Sequence, residues 1–277
     1  MPVCLPAKRY GLAAFLFTGL VPIPACIGGC GGRATGHGHG RRTISRPGSR
    51  VQASDRFGAH VHRDVFDQEL LLVKESVVRM GVLVETAIDS AVAALAARDI
   101  RLAAAVVAGD RAINEAHAEL ETLVVTTIAT QSPVATDLRF VIALAHIAYE
   151  LERIGDHAAG VAKRVAKVGP MASSADSGLV TIGELAGRML HGVLRSLIDL
   201  DATEARAMAS RDDEIDRLYH SYFERALERM RTDPAWVDTG THLLFAAKDL
   251  ERIGDRATNI AEEVVLLSTG EVVDLNP

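Results

Sequence analysis

"YELERIGDHA" (residues 149–158) sets Glu152 and Asp156 one helical turn apart, and "KDLERIGDRA" (248–257) sets Glu251 and Asp255 at the same spacing. Like charges at i,i+4 repel and cost a helix a few tenths of a kcal/mol. A glycine stands between the acids in each copy, Gly155 and Gly254. Glycine inside a helix costs about 1 kcal/mol relative to alanine. Two unfavourable choices made twice call for a compensating gain. A residue without a β-carbon admits the close approach of another helix or a ligand.

The copies extend outward. Glu152 and Glu251 are 99 residues apart, as are Asp156 and Asp255. Upstream, "GDRAINEAH" (109–117) resembles "RDDEIDRLY" (211–219) at an offset of 102, pairing Asp110 with Asp212 and Ile113 with Ile215. The change of three residues falls between the second and third helices. Repetition at this period predicts two tandem units and two pseudo-equivalent sites.

From Phe57 onward the pattern is helical. Val65, Leu72, Val73, Val77, Met80, Val84 and Ala87 recur at threes and fours. Helices are expected near 57–97, 99–131, 133–168, 177–199, 201–231 and 234–268, with no strand signals. Ser132-Pro133 and Asp233-Pro234 read as a capping side chain followed by proline at the first helical position. Gly169-Pro170 reads as a helix stop. Short connections between long helices imply antiparallel neighbours. The expected fold is all-α: two tandem three-helix bundles, at 56–170 and 171–277, behind a disordered N-terminal extension, 1–55. The loop "MASSADSG" (171–178) is the expected boundary between the halves.

The extension differs in kind. Residues 1–55 hold 5 of the 9 prolines and 10 of the 23 glycines, too little apolar surface to offset ordering entropy. "KRYGLAAFLFTGLVPIPAC" (8–26) resembles a secretory or lipoprotein signal, and an upstream start codon is the other reading. The segment has seven basic residues against Asp55 alone, a net +6. The remainder, with 23 basic and 35 acidic residues, therefore carries −12. An acidic body is a poor nucleic-acid binder and suits cations or basic protein patches. All three cysteines (Cys4, Cys26, Cys30) lie in the extension, so the body has no thiolate ligand or cysteine nucleophile. No apolar run is expected to reach the roughly 18–20 residues of a membrane span.

On the third helix Leu144, Ile147, Leu151, Ile154, Ala158, Val161 and Val165 form the apolar stripe. Glu152 and Asp156 lie on one flank of it, and Glu150 lies on the other. Leu250, Ile253, Ala257, Ile260 and Val264 repeat the stripe on the last helix, where Asn259 and Glu262 continue the flank of Glu251 and Asp255. The residues alone leave two readings open. One is a cation site, since bundle metal centres gather carboxylates from facing helices and all-oxygen ligation suits Mg, Ca, Mn or Fe. The other is a solvated flank neutralised by Arg153 and Arg252, three residues before the aspartates. His157 is replaced by Arg256 in the second copy, which excludes a ligand role shared by both halves. His117, His146, His191, His220 and His242 show no paired ligand spacing.

"LERIGDHAAGVAKRV", "LERIGDRATNIAEEV", "QSPVATDLRFVIALAHIAYELERIGD" (131–156) and "RDDEIDRLYHSYFERALERM" (211–230) are similar to the PhoU family of bacterial phosphate-uptake regulators, over about residues 57–270. The resemblance implies two three-helix bundles bearing multinuclear iron or zinc clusters on a carboxylate surface, with Mn or Mg as alternatives. It places Glu152, Asp156, Glu251 and Asp255 in the metal motif. Glu150 and Asp249 occupy an acidic position two residues earlier, and Asp110, Asp212 and Asn259 are further ligand candidates. It implies a cytoplasmic, non-enzymatic adaptor that restrains phosphate uptake and phosphate-starvation signalling when phosphate is plentiful; exposed helix faces make a homodimer the expected assembly. The implied partners are a sensor histidine kinase and the ATPase subunit of the phosphate ABC transporter, with membrane contact only through them. A carboxylate-ligated metalloenzyme is the alternative function.

Overall fold

The computed structural model describes residues 54–168 and 177–276. Residues 1–53 and 169–176 lie outside them, and with them most of the expected extension (1–55) and boundary loop (171–178) and the Gly169-Pro170 stop. The helical body is the unit Asp64–Pro277. Its elements are α1 (Ser54–Ala97), α2 (Ile100–Gln131), α3 (Thr136–Val165), α4 (Ser177–Asp199), α5 (Ala202–Ala209), α6 (Asp212–Thr232), a 3-10 turn (Pro234–Trp236) and α7 (Val237–Thr269). The described residues contain helices and no strands.

Repetition reaches down to the connections. Arg98 and Leu200, 102 residues apart, both adopt left-handed backbone, with φ of 55° and 52°. The next residue caps the next helix in each case. Asp99 Oδ1 accepts from the Arg101 and Leu102 N–H groups at 2.9 and 3.0 Å, and Asp201 Oδ1 from those of Thr203 and Glu204 at 2.9 and 3.1 Å. Such caps stabilise a helix by about 1 kcal/mol. One left-handed residue and one capping aspartate thus reverse the chain in two positions.

Two expected caps take other roles. Ser132 ends α2 in left-handed conformation (φ 47°), its N–H donating to Ile128 O at 3.0 Å, and α3 begins only at Thr136. Pro234 does open its turn, but Asp233 caps it with no side-chain hydrogen bond. The helix expected over 201–231 is broken at Ser210-Arg211. There Ser210 Oγ donates back to Ala207 O at 2.9 Å and the Arg211 N–H bonds to Met208 O at 3.1 Å, a tightened 3-10-like turn. The break makes Asp212 the first residue of α6. Asp212, Asp213 and Glu214 then share the first turn, where negative charge suits the helix dipole.

The stripes of α3 and α7 are buried as expected, every named residue at 2% exposure or less. Fully burying each leucine or isoleucine stabilises the fold by about 1.5–3 kcal/mol. On α1, Val73, Val77, Met80 and Val84 are buried, but Val65 and Leu72 face outward. By length and composition Val65–Ala97 is long and apolar enough to cross a membrane, contrary to expectation. Its inner face nevertheless packs on α4, as the core helix of a bundle.

One apolar core joins the two halves. Lys74 Nζ donates to Ile198 O at 3.0 Å, Glu85 meets His191, and Val92 meets Gly183, so α1 and α4 run antiparallel. Gly81 lies against Leu194 and Gly183 against Val92, contacts that interchange under the 102-residue offset. Between α3 and α7, His146 Nδ1 lies 3.0 Å from Glu263 Oε1, and Arg164 stacks 4.8 Å from the Phe245 ring centroid. These residues interchange under the 99-residue offset. Each half-molecule therefore meets the other about a pseudo-twofold axis.

Candidate metal centre

Each carboxylate motif faces a second helix, and the glycine between the acids sets how close that helix comes. A β-carbon on Gly254 would lie 2.5 Å from Asp212 Oδ1 and 3.0 Å from Ile215 Cδ1. On Gly155 it would lie 3.0 Å from Ile113 Cδ1 and 3.7 Å from Asp110 Oδ1. The glycines thus admit the isoleucine and aspartate of the facing helix, which are the pair repeated at the 102-residue offset. Asp110 and Asp212, both ligand candidates, thereby stand beside the motifs.

In the second half, carboxylate oxygens of Asp216, Glu251 and Asp255 lie within 4.8 Å of one another. Asp216 stands one turn after Asp212 on α6 and was not among the expected ligands. Its signal was present: Asn114 occupies the equivalent position in the first half and interacts with Asp110. The chemistry differs between copies there, which hid the position from a search for identical acids.

Counter-charges answer part of the repulsion. Arg153 donates to Asp156 Oδ2 at 3.1 Å and Arg252 to Asp255 Oδ2 at 3.3 Å, while Lys248 bonds Glu251 Oε1. Lys248 also lies 5.3 Å from the Tyr219 ring centroid. Deeper oxygens remain without a hydrogen bond among the described residues: Asp110 Oδ1 and Glu152 Oε2 in one half, Asp212 Oδ1 and Glu251 Oε2 in the other. Arg153 Nε is 3.1 Å from Glu152 Oε2, but without hydrogen-bond alignment. Asp212 and Glu251 are 5% and 8% exposed. A buried, unpaired carboxylate oxygen costs free energy.

The protonation equilibria register this cost. Burial, then the neighbouring Asp255 and Asp216, pushes the Asp212 carboxyl up to about 7. Glu251 is raised chiefly by burial, with Lys248 opposing. Asp110 and Glu152 are raised by burial and then by Asp156. A bound cation would reverse these shifts. In the second half the converging oxygens of Asp216, Glu251 and Asp255, with Asp212 beside them, make an all-oxygen set that fits a hard cation. The first offers Asp110, Glu152 and Asp156 with Asn114 as a neutral member. His117, one turn beyond Asn114 on α2, acts electrostatically on Glu152.

Three expected ligands lie elsewhere. Glu150 accepts from Arg256 Nη1 and Asn259 Nδ2, both at 3.2 Å, and Asp249 Oδ1 is 3.2 Å from His157 Nδ1. Glu150 and Asp249 therefore occupy the α3–α7 seam, on the flank opposite the motifs, and Asn259, one turn beyond Asp255, reaches across to Glu150 there. The two pairs, Glu150 with Arg256 and Asp249 with His157, interchange under the 99-residue offset. Glu262 is engaged by Leu275 beyond α7.

The family model described as PhoU domain matches twice, over residues 77–165 and 179–264. This chain belongs to the PhoU family. It is 39% identical over 213 residues to the phosphate-specific transport system accessory protein PhoU homolog of Caulobacter vibrioides (strain NA1000 / CB15N), covering 74% of this chain and 90% of that one. The homolog of the same description from Streptococcus pneumoniae serotype 4 is 34% identical over 215 residues, covering 77% of this chain and all of its own. Among solved structures, the phosphate transport system regulatory protein PhoU from Streptococcus pneumoniae superposes with a TM-score of 0.71 at 33% identity, over 76% of this chain and 99% of that one. PhoU from Pseudomonas aeruginosa gives 0.72 at 34% identity, over 74% and 100%. The PhoU fold in this chain is thus the paired helical bundle in which both carboxylate motifs stand.

Proposed function

We propose that this PhoU-family chain is a cytoplasmic, non-enzymatic adaptor that restrains phosphate uptake and phosphate-starvation signalling when phosphate is sufficient, and that cations order its two acidic faces. The accessory and regulatory roles of its relatives in phosphate transport support the first part. One observation carries the second: Asp212, nearly buried, has no aligned hydrogen bond at Oδ1 and stands beside Glu251, Asp255 and Asp216, with the Thr258 hydroxyl opposing their repulsion. A multinuclear iron or zinc centre, or Mn or Mg, would supply the missing positive charge at these oxygens. Glu152, Asp156 and Asp110 would hold it in the first half, and Glu251, Asp255, Asp212 and Asp216 in the second.

In this reading the partners are the sensor histidine kinase and the ATPase subunit of the phosphate ABC transporter, and a second copy forms a homodimer. Cation loading turns a repelling acidic surface into a fixed one that meets basic patches. Affinity capture of the tagged full chain with the kinase and the ATPase subunit, with and without divalent cation, tests it. Cation-dependent retention of either partner supports the adaptor. Retention of neither, under both conditions, overturns it.

A further inference from the structure

The segment after α7 reaches the second carboxylate site. Gly270 ends α7 in left-handed conformation, with φ 78°, and its N–H donates to Leu266 O at 2.9 Å. Glycine takes this conformation without the strain a β-carbon brings. The chain then turns back along α7, so that Leu275 N–H donates to Glu262 Oε1 at 2.8 Å, about two turns upstream of the helix end. Val273 and Leu275 pack on the core while Val272 faces solvent, an alternation that lays one side of the segment on the bundle. Glu271 lies 3.7 Å from Arg206 of α5. At the far end Asn276 Nδ2 donates to Asp212 Oδ2 at 3.0 Å.

Asp212 is thereby divided between two demands. Its Oδ1 points at Gly254 without a hydrogen bond, and its Oδ2 is held by an amide N–H. An amide N–H is a partial positive charge placed on the carboxylate that stands beside the three converging ones. It satisfies that oxygen without neutralising the carboxylate. Asp212 Oδ1, nearly buried and without an aligned hydrogen bond, shows that the site retains capacity for a ligand beyond this contact, whereas Glu251 Oε2 has Arg252 Nε at 3.9 Å.

We propose that residues 270–276 form a strap that competes with a cation for Asp212: the docked strap holds the second site closed to metal, and loading that site releases Asn276. The proposal rests on the reading of this cluster as a cation site. It gives cation binding a structural output, because an exposed segment at the edge of α5, α6 and α7 would then report occupancy to a partner.

The test uses the full chain carrying Glu152→Ala and Asp156→Ala, so that only the second site binds. Mn²⁺ alone is titrated calorimetrically against this chain, against the same chain with Asn276→Ala, and against the same chain ended after Thr269. Hydrogen exchange of the peptide over 270–277 is followed with and without Mn²⁺. The expected results are binding about tenfold tighter in both altered chains, equivalent to about 1.4 kcal/mol, and loss of amide protection at Leu275 on adding Mn²⁺. Equal or weaker binding in Asn276→Ala, or protection unchanged by Mn²⁺, overturns the strap and leaves the cation site standing. Absence of Mn²⁺ binding in all three chains overturns both.

Discussion

Asp212 Oδ1 stands where residue 254 has no β-carbon: a methyl there would come within 2.5 Å of it. The glycine inside the acidic motif therefore serves helix approach and delivers an aspartate from α6. Gly254→Ala is expected to destabilise the fold by about 1–3 kcal/mol, since Asp212 and Ile215 are both buried and must shift. Gly109, exposed on α2 with nothing within 4 Å of its absent β-carbon, is the control. Gly109→Ala is expected to stabilise by about 0.5–1 kcal/mol through helix propensity. Urea denaturation of the two variants checks the opposite signs, and two changes of the same sign would contradict the packing.

Asp212→Asn keeps the shape and removes the charge. The Asp212 carboxyl is raised to about 7 from an ordinary 3.8, so the folded state binds an extra proton between those values. Stability is therefore lost as pH rises through that window, with each unit worth about 1.36 kcal/mol. Without divalent cation, the variant should be more stable than the parent at about pH 8 and lose that advantage near pH 4. With cation at a hundred times its dissociation constant, the parent should gain about 2.7 kcal/mol from the second site, and the variant much less. Thermal melts across pH, with and without Mn²⁺, measure both effects. A variant less stable at every pH would contradict the unpaired-charge account.

A separate half-buried pair lies between α1 and α4, where Glu85 Oε1 is 3.0 Å from His191 Nδ1. Burial, then Asp89, pushes Glu85 up to about 7 from 4.5, while burial, then Arg195, lowers His191 from 6.5. The Glu85 contribution is present at low pH and lost as pH rises from 4.5 to about 7. The His191 contribution has the opposite sign, being lost as pH falls below 6.5. Glu85→Gln removes the first and keeps the second. Its urea midpoint relative to the parent should therefore be higher at about pH 8 than at about pH 5. A difference independent of pH would contradict a half-buried, titrating Glu85.

The seam and the metal motifs should separate on mutation. Glu150→Gln weakens the contact with Arg256 and Asn259 and is expected to destabilise by about 0.5–1.5 kcal/mol. It should leave cation stoichiometry unchanged, because Glu150 lies on the opposite flank. Calorimetric titration with Mn²⁺ beside a urea melt checks the pair of results, and a lost binding site would return Glu150 to the metal centre.

The fold was legible because the apolar stripes of α3 and α7 repeat with their flanking acids, and a helix wheel already puts Glu150 opposite Glu152. The wheel alone could not show that Arg256 waits across the seam for Glu150, since that contact joins residues 106 apart. Asp216 was visible through register but not through identity, as its counterpart is Asn114. The break at Ser210-Arg211 carries neither proline nor glycine and arises from hydrogen bonds closed back into the preceding turn. Ser132-Pro133 resembles an N-cap because serine bonds backbone groups in several geometries, and here the chain uses it to end α2. The segment 270–276 is too short for its alternation to announce a docked strand, so its contact with Asp212 emerges only once α6 and α7 are packed.

The most direct test is elemental analysis of the purified full chain, under conditions that protect bound metal, beside a Glu251→Ala/Asp255→Ala variant. Stoichiometric metal in the parent that falls in the variant is the predicted result, and would tie the repeated carboxylates to cation binding. Metal-free parent protein, or equal metal in both chains, would contradict it and leave the acidic faces without a cation.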